Sequence, residues 1–378
     1  MTARVLQFAR DSLHSARFAL WFEELSPGQS DYIVSSTDAA RTLRYPIASE
    51  HLTVVGPGLI QRIAGLRRIR AYDAVIFHNM TNAAALGAVL AHPRATVVWS
   101  GYGWDYYGDG KSIHADLLDP MTAAIDAERK VNSGPPLRKI KAAVTTRLRN
   151  AAAKRTDLFS APIDTDYEVF QRRFPHSSAE YIQLNYAALS DLQSLGGEVT
   201  GEDIIVGNSA DVTNNHLDVF AKLGSLPLDG RKVVVPLSYD GDPAYISAVV
   251  SAGRNAFGGD FVPLVERVPF DEYAAIVMNC RHAVMGQRRQ KALGNIIISL
   301  WAGADVILHD DSPVYTFLAE HGAVVRRLSD LVSDGFAAGR LDDPQTVQNR
   351  LVLEALWGDE VVKQNVANVI RILDARAA

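Results

Sequence analysis

Short apolar runs alternate with longer amphipathic stretches from one end of the chain to the other. Runs rich in Val, Ile, Phe and Tyr, bounded by Gly, Pro, Asn or Asp, read as strands. In the first half these are Val5–Ala9, Tyr32–Ser35, Leu52–Val55, Ala74–His78, Thr96–Trp99, Asp157–Ser160 and Glu180–Leu184. Apolar positions between them recur at a spacing of about 3.6 and predict helices at Ser15–Leu25, Leu59–Arg70 and Asn82–Ala91. The second half repeats the scheme. Its strands are Asp203–Val206, Lys232–Pro236, Phe261–Leu264, His282–Met285, Asp305–His309 and Ala323–Arg326. Its helices fall at Asn214–Leu223, Pro243–Phe257, Phe270–Asn279, Leu293–Ala302 and Pro313–His321.

Strands that are apolar throughout and separated by helices belong to parallel sheets covered on both faces. Two consecutive sets predict two doubly wound, Rossmann-like α/β domains. Gly196-Gly197 and Gly201 interrupt the pattern and place the junction in Ser190–Glu202. The expected division is therefore 1–195, 196–355, and a terminal segment 356–378. The amphipathic helix Asp359–Ala377 of that segment is expected to pack back towards the first domain.

Composition narrows the function classes. The 378 residues are 48% hydrophobic and 21% charged, with one cysteine, Cys280. An internal disulfide or a cysteine-based metal cluster is thereby excluded. No apolar run reaches the roughly 18 residues of a spanning helix, and the N-terminus has no signal-peptide pattern. The expected location is cytoplasmic. Residues 1–196 carry 22 Lys and Arg against 19 Asp and Glu, and the remainder 16 against 24. Neither half has the basic excess of a nucleic-acid binder. Basic charge is instead local. Val131–Thr156 has no acidic residue but holds Arg138, Lys139, Lys141, Arg147, Arg149, Lys154 and Arg155. Leu137, Ile140, Val144 and Leu148 recur there at helical spacing, so a basic amphipathic helix is expected, suited to an anionic membrane surface or substrate, or simply solvated. Arg62, Arg67, Arg68 and Arg70 form a second basic cluster, read as a solvated face.

The segment Ile204–Leu217 carries the most chemistry. An apolar strand runs into the small and polar residues Gly207-Asn208-Ser209-Ala210-Asp211-Val212, and Thr213 or Asn214 is placed to cap the following helix. A strand, a small-residue loop and a helix N-terminus together make a phosphate site. An ordinary βα turn with a good cap is the plainer alternative.

That GNSADVTNNH segment resembles the bacterial TDP-N-acetylfucosamine:lipid II N-acetylfucosaminyltransferase family, which builds enterobacterial common antigen. Further motifs follow in the family's order: Lys232-Val233-Val234-Val235-Pro236-Leu237-Ser238-Tyr239, Ala244-Tyr245-Ile246, Phe270-Asp271-Glu272-Tyr273, Arg289-Gln290, Gly294, Ala302-Gly303 and Ser312-Pro313. In the first half the likeness rests on Asp11 and His14 after the first strand, and on Trp99 with Gly103-Trp104-Asp105-Tyr106-Tyr107. The loop before Gly294 departs from the family's glycine-rich version, because Lys291-Ala292 intervene and Arg288 adds charge.

The resemblance implies a GT-B fold, with two domains facing a central cleft, a TDP-sugar held by the second and an acceptor by the first. It implies transfer of a deoxyamino sugar to a polyprenyl-diphosphate-linked glycan, on the inner face of the bacterial inner membrane as a peripheral protein. The implied donor residues are Gly207, Asn208, Ser209, Asn214, Asn215 and His216, with Thr213 at the helix mouth. Tyr239 is placed for the base, Arg289 and Gln290 for the diphosphate and sugar, and Gly294 and Asn295 at a second helix N-terminus. Asp11, His14 and Asp105 are the candidate bases, with His78-Asn79 as further lining residues. Helix N–H groups and an arginine can stabilise the departing diphosphate, so no metal is expected. Asp164-Thr165-Asp166, Asp240-Gly241-Asp242 and Asp310-Asp311 look metal-like but sit where turns use Asp for local reasons. A nucleotide-sugar epimerase or hydrolase of the same fold, and a non-catalytic nucleotide-sugar-binding protein, are the rival readings.

Overall fold

The computed structural model describes residues 2–38, 40–107, 116–131, 137–184, 188–190, 197–336 and 341–378. The chain forms two compact units. One contains Met1–Gly110, Pro136–Ala188 and Trp357–Ala378, the other Lys111–Pro135 and Leu189–Leu356.

Among the described residues the first unit carries seven parallel strands: β1 (Val5–Arg10), β2 (Ser30–Ser35), β3 (Leu52–Val55), β4 (Ala74–His78), β5 (Thr96–Ser100), β6 (Leu158–Ser160) and β7 (Glu180–Tyr181). Their order is β3-β2-β1-β4-β5-β6-β7, with Val5 opposite both Ser30 and Ala74. Every residue of β4 and β5 is buried, as expected for strands covered on both faces. The helix Leu13–Leu25 is capped by Ser12, whose hydroxyl accepts from Ser15 N. Its Phe18, Trp21 and Phe22 pack in one cluster with Val98, Leu158 and the terminal helix's Val362, Val366, Val369 and Leu373. Asp374 then accepts from Ala3 N and Gln29 Nε2, each at 2.8 Å. The terminal helix therefore completes the first unit's core.

One first-half helix needs correction. The predicted helix Leu59–Arg70 is an α-helix only to Gly65 and continues as a 3-10 helix over Leu66–Ala71. Leu66, Ile69 and Tyr72 are all buried, and their spacing of three suits the tighter turn. The basic helix Leu137–Arg155 forms as expected. Val144 is 57% exposed, while Arg149 is 6% exposed and Ala152 and Ala153 are buried. Small residues win because the partner helix Asn82–Leu90 is itself lined by Ala and Gly, and the two approach closely. Asn82 Nδ2 donates to Thr145 Oγ1 across that contact at 3.1 Å.

The second unit holds β8 (Asp203–Val206), β9 (Val233–Pro236), β10 (Phe261–Leu264), β11 (Cys280–Met285), β12 (Asp305–Leu308) and β13 (Arg326–Arg327). The sheet is parallel, in the order β10-β9-β8-β11-β12-β13. One of its helices comes from the first half of the chain: Pro120–Val131 packs on the helix His216–Leu223. Asp218 accepts from Met121 N and Thr122 N, both at 2.9 Å, and so supplies the negative charge that a helix N-terminus favours. An uninterrupted first domain over 1–195 is thus corrected, since 116–131 lie in the second unit. Of the predicted junction Ser190–Glu202, residues 191–196 lie outside the described residues.

Candidate functional site

In the second unit β8 lies between β9 and β11, so the connections leaving β8 and β11 run to opposite sides of the sheet. Such a reversal is where open α/β sheets bind ligands, beyond the carboxyl ends of the strands. The loops after β8, β9 and β11 bring together most of the residues singled out in the second half.

The loop after β8 is held from within. Gly207 sits at φ +69°, and a Cβ there would lie 2.8 Å from Asn214 Oδ1 and 3.0 Å from His216 Nε2. Only glycine fits that turn without strain. Asn214 does not cap a helix as expected. It is wholly buried; its amide donates to Ser209 O and Asp211 O, and its carbonyl accepts from Asn208 N and Gln287 Nε2. Asp211 is the cap instead, for a 3-10 turn over Val212–Asn214. Asn215 follows in the left-handed region at φ +53°, so the α-helix starts only at His216. Asn215 donates to Leu117 O and Gly286 O and accepts from Asp119 N, joining three segments. Ser209, Asn214, Asn215 and His216 are thus buried supports of the loop. His216 Nδ1 meets Tyr245 Oη at 3.0 Å, and burial depresses its pKa to about 3, so the ring is neutral.

What the loops present outward is smaller. Tyr239 is 51% exposed, with its hydroxyl accepting from Asn208 Nδ2 at 2.8 Å. Gly294 lies in open space in the first turn of the helix Leu293–Trp301, which has no side-chain cap. Asn295 donates to Tyr273 Oη at 2.7 Å. Arg289 Nη2 pairs with Asp211 at 3.0 Å while its Nε donates to Thr213 Oγ1. Lys291 Nζ lies 2.8 Å from the same Asp211 oxygen and 3.4 Å from Asp240. Burial alone would raise the Asp211 carboxyl. Lys291, then Arg289 and the Thr213 N–H outweigh it and hold the group far below the ordinary carboxylate range. The diphosphate candidate Arg289 is therefore engaged by a carboxylate, and Lys291, noted in the sequence only as a departure, stands beside it. Gln290 is buried next to both.

A second polar cluster follows β12. His309 Nδ1 accepts from Asp311 N, leaving Nε2–H to donate to Asp119 at 3.1 Å. Arg288 bridges Asp311 and Asp119 at 2.8 and 3.7 Å. Sequence reading missed this cluster because Asp119 belongs to the inserted segment.

In the first unit, Asp11 accepts from Arg44 N and Tyr45 N at 2.8 and 3.1 Å and so fixes that loop; it does not cap the helix, which Ser12 does. His14 is half-buried, its ring edge-on to Tyr102 with centroids 5.9 Å apart. Asp105 is wholly buried. Its oxygens accept from Met80 N, Trp99 Nε1 and Tyr102 N at 2.7–2.9 Å. Those bonds make it an anchor for the aromatic loop, which corrects its placement among the bases.

The metal-like acidic pairs are engaged by protein partners, Asp242 within its own turn and Asp166 and Asp310 from distant segments. Asp166 accepts from Tyr106 and Tyr107, Asp242 caps Pro243–Phe257, and Asp310 accepts from Ser329. Among the described residues no three His, Cys, Asp or Glu side chains gather as a metal site.

A family profile described as 4-alpha-L-fucosyltransferase, glycosyl transferase group 56, matches residues 138–336. The fold is similar to sucrose-phosphate synthase from Thermosynechococcus elongatus, at 10% identity and TM-score 0.65 over 98% of this chain and 99% of that one. It is also similar to the UDP-forming trehalose-phosphate synthase of Burkholderia vietnamiensis, at 11% identity and TM-score 0.62 over 100% and 99%. Anabaena HepE in complex with UDP and glucose matches at 11% identity and TM-score 0.61 over 98% and 99%. These are GT-B proteins, and the two parallel-sheet units are of that fold.

Proposed function

Because the chain belongs to the 4-alpha-L-fucosyltransferase family, glycosyl transferase group 56, and is a glycosyltransferase, we propose that it moves a deoxyamino sugar of the N-acetylfucosamine kind from a TDP donor. The acceptor is a polyprenyl-diphosphate-linked glycan of a bacterial surface polysaccharide. The observation that carries the donor half is the cation pair Arg289 and Lys291, set with Tyr239 and the open helix start at Gly294 on loops of one sheet edge. A nucleoside diphosphate matches that set: Arg and Lys take its oxygens, uncapped N–H groups add fixed dipoles, and the tyrosine ring meets the base. HepE's complex with UDP and glucose supports a nucleoside-diphosphate donor.

The departing diphosphate gains negative charge as the glycosyl bond breaks. Arg289 and Lys291, shared with Asp211, and the N–H groups of the first turn at Leu293 stabilise that charge, the N–H dipoles already fixed in place. The acceptor lies on the first unit, where His14 takes its proton. The helix Leu137–Arg155 meets anionic lipid headgroups with Arg147 and the exposed Val144. Among the described residues no helix is long and apolar enough to cross a membrane.

The test is transfer from a panel of TDP- and UDP-sugars onto farnesyl-diphosphate-linked glycans. Product from TDP-6-deoxyamino sugars is the expected result. Preference for UDP overturns the donor base, and donor turnover without any acceptor turns the assignment to a hydrolase or epimerase. A His14→Gln variant is expected to lose turnover while retaining TDP binding.

A further inference from the structure

At the carboxyl end of β4, Asn79 stands in the left-handed region at φ +67°, a conformation that a residue other than glycine adopts at some cost. Asparagine in such a turn ordinarily serves it by bonding nearby backbone with its side chain. Here the backbone is fixed without that help. Asn79 N donates to Ser100 O at 2.8 Å, Met80 N donates to Asp105 at 2.8 Å, and Thr81 caps the next helix. The residue is 4% exposed, and its Oδ1 has no hydrogen-bond partner. An orphaned buried carbonyl of this kind costs about 1–3 kcal/mol, so the position calls for a donor.

The preceding residue carries the same signature. His78 is 2% exposed, with Phe18 packed 4.7 Å from its ring. Gln7 Nε2 donates to Ser30 Oγ, so Gln7 Oε1 faces His78 Nε2 at 2.9 Å and must accept from it. The ring is then the Nε2–H tautomer, and Nδ1 carries a lone pair; it too is buried without a partner. Burial depresses the His78 pKa to about 3, so the ring accepts a hydrogen bond at any ordinary pH but does not take up a proton.

Two adjacent neutral acceptors thus lie at the end of β4. That strand neighbours β1 at the point where the first sheet's order reverses, the place where such sheets bind ligands. A phosphate has no hydrogen to give them. A sugar hydroxyl does. We infer that Asn79 Oδ1 and His78 Nδ1 form a hydroxyl-accepting subsite that positions a saccharide of the acceptor. The inference rests on the glycosyl-transfer reading in taking the first unit for the acceptor. Neither residue supplies a base; both orient a hydroxyl.

The φ value makes a clean perturbation available. Asn79→Gly removes the carboxamide, and glycine adopts φ +67° freely, so the fold is retained, with an unchanged circular dichroism spectrum and Tm as the control. For whichever farnesyl-diphosphate-linked disaccharide of a panel the wild type glycosylates fastest, Asn79→Gly raises the acceptor KM about tenfold, equivalent to about 1.4 kcal/mol. The donor KM stays as it was. In the wild type, each free disaccharide of the panel is titrated while the His78 Nδ1 resonance is followed by long-range proton–nitrogen correlation; the productive one shifts it. Either measurement standing still overturns the inference and leaves the two atoms to internal water. If the wild type transfers to no glycan, the glycosyl-transfer proposal has failed, and the resonance titration alone decides the subsite.

Discussion

Asp211 is the place to test whether the cation pair is held ready for a ligand. In Asp211→Asn the amide oxygen can keep the bonds from Thr213 N and Oγ1, at 2.8 and 2.9 Å in the parent. The other terminal atom becomes an NH2 group facing Arg289 Nη2 and Lys291 Nζ, which lie 3.0 and 2.8 Å from the present oxygen. Two charge-assisted bonds are lost, each worth about 1.5–3 kcal/mol. The side chains are largely but not wholly buried, at 20% exposed for Asp211 and 9% and 11% for the cations. Solvent screening therefore trims the loss to about 3 kcal/mol. At about 2–4 °C per kcal/mol for a unit of this size, Tm falls by about 6–12 °C. The same substitution frees both cations for a diphosphate. The TDP-induced rise in Tm, which measures RT ln(1 + [L]/Kd), therefore grows in the variant. Differential scanning fluorimetry with and without TDP reads both effects. A Tm near the parent's, or a TDP response that shrinks, refutes the reasoning. The folded pKa of Asp211 lies below its unfolded value. Its contribution is thus fully present above about pH 4 and is lost as the pH falls through the depressed folded value. The difference in Tm between parent and variant should be flat from pH 5 to 8 and narrow only in acid.

Arg289→Lys is expected to restore little of the TDP shift lost in Arg289→Ala, since an ammonium cannot reproduce both the Nε bond to Thr213 and the Nη2 pair with Asp211; a full rescue in the same fluorimetric titration contradicts the assignment. Gly207→Ala forces φ +69° on a residue with a Cβ and sets that atom 2.8 Å from Asn214 Oδ1, so the urea midpoint should fall by the equivalent of about 2–4 kcal/mol. Asp105→Asn exchanges one acceptor for a donor facing a backbone N–H or the Trp99 indole. It should destabilise by about 1–3 kcal/mol while leaving the TDP titration unchanged, and altered TDP affinity would show that the loop does more than hold itself.

The central strands were legible almost to the residue because a parallel strand buried on both faces is an uninterrupted apolar run, as in Val75–Phe77 and Ile204–Val206; the edge strands β7 and β13 were not, β7 ending at Tyr181 instead of Leu184 and β13 covering Arg326–Arg327 where Ala323–Arg326 was expected. Helix starts were less so. Asp211, Thr213, Asn214 and Asn215 are all good caps by residue type, and only three-dimensional packing decides that Asp211 caps a 3-10 turn while Asn214 staples the loop. The basic helix was legible as a helix, but which of its residues face a neighbour was not, because periodicity counts apolar residues and takes no account of size. Against an alanine-lined partner, Ala152 and Ala153 fit where Val144 does not. The inserted helix Pro120–Val131 was illegible for a different reason: its tie to Asp218 and Asn215 spans about a hundred positions. At the candidate site, arginine at 289 was visible as a residue type, but its pairing with Asp211 depends on two loops meeting.

The terminal helix has a consequence for the order in which the protein is made. Val362, Val366, Val369 and Leu373 fill the same cluster as Phe18, Trp21 and Phe22. A ribosome moving from the N-terminus releases Phe18 more than three hundred residues before its partners exist. The second unit, complete once Leu356 has emerged, therefore reaches its full set of contacts before the first does. This inverts the usual N-terminal-first sequence of folding during synthesis. Until the last helix arrives, the nascent first unit carries an open aromatic groove, the surface on which a chaperone would be expected to wait.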